Sequence, residues 1–291
     1  MKIIVFAAAA VAALFLYALI QGPRTAQLQL SLVDRNGNRQ DLGSVPSATF
    51  APRIAPNGTQ VTFDTTTLEP AIWIADFPTL KSMRRLPGVG IYPMWSADSE
   101  RLFFIGLNNG RQALYSRRAD GTGQPELLSD PARAPEHWSP KTQSITFITL
   151  NESDYDIWQY SFADKKAMPL IQIGKSSQHS SRVSPDERWI AYVSDETSRY
   201  EVYVQPLPPT GTKFQITKDG GGHPVWSPDA REIYFDRGGQ LYSVAVQIAG
   251  STLAAGSPAA LPIKGFIQDV GRRQFDITAD GKQFLMLFPP R

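Results

Sequence analysis

Val183-Ser184-Pro185-Asp186-Glu187-Arg188-Trp189-Ile190-Ala191-Tyr192-Val193, followed further on by Trp226-Ser227-Pro228-Asp229, decides how this chain is organised. In each case an apolar residue precedes a Ser-Pro-Asp turn and a β-rich run follows it. Proline presets φ, and the aspartate can bond its own backbone two residues on, so the motif forms a tight turn between strands. Weaker copies are Ile54-Ala55-Pro56-Asn57, Trp95-Ser96-Ala97-Asp98, Trp138-Ser139-Pro140-Lys141 and Ile277-Thr278-Ala279-Asp280. Anchored on the second residue, the copies stand at 55, 96, 139, 184, 227 and 278, in steps of 41, 43, 45, 43 and 51. A period of about 40–50 residues with a short strand after each turn is the sequence form of a β-propeller.

The clearest unit gives the grammar. After the turn at 184–188 come Trp189–Val193, a polar loop, the alternating strand Tyr200–Val204, a long turn at 206–211 and a last strand over Lys213–Thr217. With the strand entering the signature this makes four strands per blade. Third strands carry an aliphatic–aromatic pair, Ile72-Trp73, Leu114-Tyr115, Ile157-Trp158, Val202-Tyr203 and Leu241-Tyr242, at a nearly constant offset from each anchor. The sixth unit supplies only two strands, around Phe275–Ile277 and Gln283–Phe288. Leu28 to Asp34 and Arg39 to Leu42, split by the turn Asn36-Gly37, are expected to complete it. Closing the ring this way removes open sheet edges. The long step after 227 reflects extra length in Gln247 to Gly271, read as an extended loop and one strand. The expected fold is therefore all-β: a six-bladed propeller of four-stranded blades over residues 26–291, with 26–45 as closing strands, plus an N-terminal apolar helix.

Charge and composition narrow the function classes. A net charge of +2, from 29 basic and 27 acidic residues, and no basic run longer than a pair give no footprint for nucleic acid. The chain has 0 cysteines, which excludes disulfides, thiolate metal sites, a cysteine nucleophile and a lipoprotein anchor. Ile3 to Ile20 is an unbroken apolar or small run with Lys2 before it and Arg24 after. Residues 1–23 are expected to be a signal anchor, or else a cleaved signal peptide, placing the rest outside the cytoplasm and tethered to a membrane.

Ser-Pro-Asp-x-x-x-Ile-Ala-Tyr at 184–192 and the Trp-Ser-Pro-Asp box at 226–229 resemble the WD40-like repeats of TolB-type propellers. Over Ser184 to Val246 the chain is also similar to the extracytoplasmic propeller of some bacterial membrane serine/threonine kinases. The resemblance covers about residues 28–288 and implies a six-bladed ring that senses or binds partners outside the cytoplasm. It carries no kinase domain: the sequence has no glycine-rich phosphate loop, catalytic-loop or Asp-Phe-Gly signature.

No catalytic motif emerges. There is no Gly-x-Ser-x-Gly elbow, and the serines of the Ser-Pro-Asp boxes read as turn formers. His137, His179 and His223 lack zinc-helix spacing. Asp154 and Asp156 lack the rest of a calcium loop and read as part of a solvated loop. Trp95, Trp138 and Trp226 recur in register and are expected to pack between blades. No cofactor or metal is expected. Alternation along the inner strands turns Arg53, Met94, His137, Arg182, Val225 and Asp276 away from the packed face, with Tyr92, Ser180, His223 and Gln274 two residues further back. Arg53, Tyr92, His137, Arg182, His223 and Asp276 are the candidate binding residues at the mouth of a central channel, and two arginines beside two histidines suit an anionic group such as a carboxylate. The expected role is a non-catalytic binding or sensory module taking a protein or small-molecule ligand of the cell envelope. The alternative is an enzyme, a hydrolase or lyase, with its site at the channel mouth.

Overall fold

The structure, a computed structural model, describes residues 27–290. The apolar segment expected as a helix and anchor, residues 1–23, lies outside the described residues. No described helix is long and apolar enough to cross a membrane.

Six antiparallel sheets form a ring. Their innermost strands, blades 1 to 6, are Thr49–Ile54, Ile91–Trp95, Ala134–Ser139, Gln178–Val183, Gly222–Trp226 and Phe275–Ile277. Blade 6 joins the two ends of the described chain: Phe275–Ile277 and Gln283–Phe288 pair with Leu28–Asp34, which pairs with Arg39–Val45. Closure by the N-terminal strands is thus as the sequence indicates.

Because the strands alternate in direction, the ring has two distinct faces. Every signature turn, between first and second strands, opens on one face. The hairpins between second and third strands open on the other. Gln29, near the start of its strand, lies opposite Phe288 at the end of a second strand, so the chain enters the ring on the hairpin face.

Apolar side chains form one buried cluster per blade interface. Between blades 4 and 5, for example, Trp189, Val193 and Val204 meet Trp226, Ile233 and Phe235. The anchor residues serve as expected here: Trp95 and Trp226 are both 5% exposed, and Trp138 stacks on Phe103 at 5.3 Å. The signature serines hold their turns. Ser184 Oγ donates to Asp186 Oδ1 (2.6 Å) and accepts from the Trp189 amide (3.0 Å). Ser227 bonds Asp229 in the same way at 2.6 Å.

Two expectations need correction. The stretch 247–271 holds two strands rather than one, Thr252–Ala255 and Ala259–Lys264, after a ten-residue third strand, Gln240–Ala249. In blade 4 the last strand shrinks to Phe214–Gln215. There the Thr217 hydroxyl replaces the ladder, accepting from the Val202 amide (2.9 Å) and donating to Glu201 (2.5 Å).

Candidate functional site

The channel wall is set by a repeated irregularity. In five of the six inner strands the ladder slips just before the anchor, between Phe50 and Arg53, Ile91 and Met94, Pro135 and His137, His179 and Arg182, and Gly222 and Val225. A bulge of this kind bends a strand and re-aims its side chains. At the bulge Ala51, Tyr92, Ser180 and His223 adopt φ values of 52°, 57°, 58° and 52°, a conformation most side chains avoid. The result is two tiers of channel residues.

The lower tier opens on the signature-turn face. A cavity of about 400 Å³ is lined there by Arg53, His137, Arg182 and Asp276, with Glu136 and Arg273, inside a wall that includes Trp95, Trp138 and Trp226. Blades 1 and 4 stand opposite each other in the ring, so Arg53 and Arg182 face across it. Their backbones are pinned by the tryptophans of the next blades: Trp95 Nε1 donates to the Arg53 carbonyl and Trp226 Nε1 to the Arg182 carbonyl, both at 3.0 Å. Arg53 Nη1 donates to the carbonyls of Pro52 (2.7 Å) and Arg273 (3.1 Å), and Arg182 Nη1 to that of Ser181 (3.2 Å). Among the described residues neither makes an ion pair.

Asp276 is committed within the fold. It accepts from the Ile54 amide at 2.9 Å, stitching blade 6 to blade 1, and pairs with Arg273 at 3.2 Å. Glu136 is buried and accepts from the amides of Ser180 and Ser181 and from the Ser181 hydroxyl, stitching blade 3 to blade 4. Burial pushes its carboxyl above the usual range despite these donors. Burial, with the neighbouring Arg273 charge adding to it, draws Arg182 down to about 9 and lowers Arg53 as well, and burial alone lowers Arg273. His137 is pushed down to about 3 by burial, with Arg182 and Arg273 adding to the effect, so it is neutral at physiological pH. Desolvated cations outnumber the carboxylates near them, and an incoming anion would relieve that imbalance.

The upper tier is a smaller chamber of about 40 Å³, lined by Tyr92, Ser180 and His223 and reached by Arg53, Arg182, Arg272 and Arg273. The structure therefore divides the six candidates: Arg53, His137, Arg182 and Asp276 share the mouth, while Tyr92 and His223 lie behind it. His223 Nδ1 faces Asp236 Oδ1 at 3.0 Å, and its Nε2 is buried without a partner. Gln274 is absorbed by the fold, its Oε1 accepting from the Ala51 amide at 3.1 Å. Asp156, expected in a solvated loop, is buried in the strand Asp154–Ser161 and accepts from Gln172 Nε2 at 2.9 Å. No cluster of three or more His, Asp or Glu suited to a metal occurs among the described residues.

Sequence reasoning missed Arg272, Arg273 and Glu136. The one available signal was the paired arginines directly before the last inner strand.

The profile of the TolB beta propeller domain (PD40) matches residues 12–255. The chain belongs to the TolB β-propeller family. No curated protein matches it. Among solved structures it is similar to one assigned as TolB from Agrobacterium tumefaciens (TM-score 0.72, 16% identity, 92% of this chain and 99% of that one). It is also similar to TolB from Acinetobacter baumannii (0.59, 17%, 93% and 65%). An oligogalacturonate lyase in complex with manganese shares the fold as well (0.57, 15%, 90% and 82%). At these identities the likeness is one of fold, and TolB-type rings and an enzyme share it.

Proposed function

We propose that this TolB-type propeller is a non-catalytic, extracytoplasmic binding module whose partner presents an anionic group to the mouth on the signature-turn face. The observation that carries this reading is the convergence of Arg53, Arg182 and Arg273 on one cavity of about 400 Å³, where only Arg273 has an ion-pair partner, Asp276. Guanidinium groups suit planar carboxylates, which they can grip through two parallel hydrogen bonds. The polarity of the ring fits the apolar run at 3–20. The chain enters on the hairpin face, so a tether there would leave the mouth facing away from the membrane. Isothermal titration with citrate at low salt tests the anion site. The expected result is saturable binding that weakens at least tenfold in Arg182→Ala and in Arg53→Ala. Citrate binding that is absent, or equal in all three proteins, would remove the basis for the reading.

A second reading, an enzyme, draws support from the buried Asp236–His223 pair, whose Nε2 is buried without a partner beside the chamber that four arginines reach. An orienting carboxylate behind an imidazole is the arrangement of a general base. Turnover in a panel of acidic-sugar lyase and ester hydrolase substrates, lost in Asp236→Asn with the fold intact, would favour it.

A further inference from the structure

The third strand of blade 5, Gln240–Ala249, outruns its inner neighbour. Pairing with the second strand, Glu232–Arg237, stops at Glu232 opposite Ala245. Beyond that point Val246–Ala249 pairs only outward, with Thr252–Ala255. The antiparallel ladder alternates its hydrogen bonds from side to side. The Val246 amide points inward, to the Arg231 carbonyl at 2.8 Å, and the Ala245 carbonyl points outward, to the Gly256 amide at 2.8 Å. Ile248, two residues after Val246, therefore turns its N–H and C=O inward as well. They face a groove of about 570 Å³ floored by the signature turns of blades 4 and 5, with Asp186, Arg188, Asp229 and Arg231 along it.

This edge lacks the usual protection. Three outer strands carry Arg84 and Arg85, Lys166 and Pro169, or Pro262 and Lys264, the charges and prolines that discourage strand addition, whereas the short outer strands Phe214–Gln215 and Thr252–Ala255 carry neither. Val246-Gln247-Ile248-Ala249 has none. The groove also adjoins the mouth: Ser184, Pro185 and Glu187 line the mouth, and Asp186 and Arg188 of the same turn line the groove.

We propose that the groove is a strand-addition site for an extended segment of a partner protein, which pairs with Val246–Ala249 and carries an acidic end over the blade 4 turn into the arginine-lined mouth. Backbone pairing would supply affinity and the mouth would supply selectivity. A second copy of the chain fits poorly, because the free edge is short and recessed behind two turns. The part of the proposal that concerns the mouth rests on the anion reading above, whereas the groove stands on its own geometry.

The test is a phage-displayed library of random dodecapeptides panned on the full chain, with the selected peptides resynthesised and measured by fluorescence anisotropy. The expected binders alternate β-branched residues and end in Asp or Glu. Ile248→Pro, which removes the inward N–H, should weaken them at least tenfold. Ile248→Ala, and Ala255→Pro on the opposite edge of the hairpin, should change affinity less than twofold. In the unmutated protein, bound peptide should slow hydrogen exchange at 246–249, a readout that does not depend on how the variants fold. Loss in Arg182→Ala with no effect of Ile248→Pro and no added protection would overturn the groove while leaving the anion site standing. The converse pattern would keep the groove and remove the mouth. A library that yields no binder sensitive to Ile248→Pro, or a concentration-dependent dimer abolished by that substitution, would overturn the proposal.

Discussion

The two ends of the channel treat their arginines differently. At the hairpin face, Arg272 pairs with the fully buried Asp64 at 2.8 Å and lies over the rings of Tyr92 (4.2 Å) and Phe50 (5.1 Å). Every feature of that cation is answered from within the chain. At the mouth, Arg53 and Arg182 touch only carbonyls. A buried charge matched internally holds a structure together, whereas one left on weak dipoles is poised for something from outside.

Substitution at each end should expose the contrast most strongly. Arg272→Ala strands the Asp64 carboxylate and should destabilise the ring by about 3–5 kcal/mol in urea unfolding, with Asp64→Asn restoring part of the loss. Arg182→Ala should change stability by less than about 1 kcal/mol, because it removes a charge with no ion partner. Equal losses at the two ends would abolish the distinction.

A second effect should appear on titration. Burial pushes His179, in the wall between blades 4 and 5, down to about 3, and His137 at the mouth is held at about 3 in part by Arg182 and Arg273. In the unfolded chain both should titrate near 6.5. As pH falls from there toward 3 the unfolded chain takes up protons that the folded ring refuses. Stability is then lost by about 1.4 kcal/mol per pH unit for each histidine, measurable as a falling urea midpoint. Citrate in the mouth should raise the His137 value, seen in its ring NMR shifts, and leave that of His179 unmoved.

How much of this the sequence carried depends on the period involved. The signature turns, the packed tryptophans and the closing strands at 28–45 were all readable, because each rests on spacing or on turn chemistry local to a few residues. The offset of Tyr92 and His223 behind Arg53 and Arg182 was readable too, but their separation into two chambers was not. It depends on a bulge that breaks the two-residue alternation at Ala51, Tyr92, Ser180 and His223, and a pattern of alternation cannot announce its own interruption. Glu136 shows the same effect, since its place next to the bulge at Pro135 aims it at the backbone of the next blade. The overhang at Val246–Ala249 was hidden for another reason. Its sequence is as compatible with a loop as with a strand, and only the length of the neighbouring strand makes it an edge.

A further change sits in the turns that form the rim. Ser184→Ala removes two hydrogen bonds, to Asp186 and from Trp189, and should cost about 1–2 kcal/mol by urea unfolding. Because that turn separates mouth from groove, the loss should be accompanied by weaker citrate binding.

Blade 6 also dictates when the molecule can be finished. Gln29 lies opposite Phe288, so the first described strand must wait for the last. Until then five sheets stand in an arc with a raw margin at either end, and topology alone makes the final docking step a long-range one.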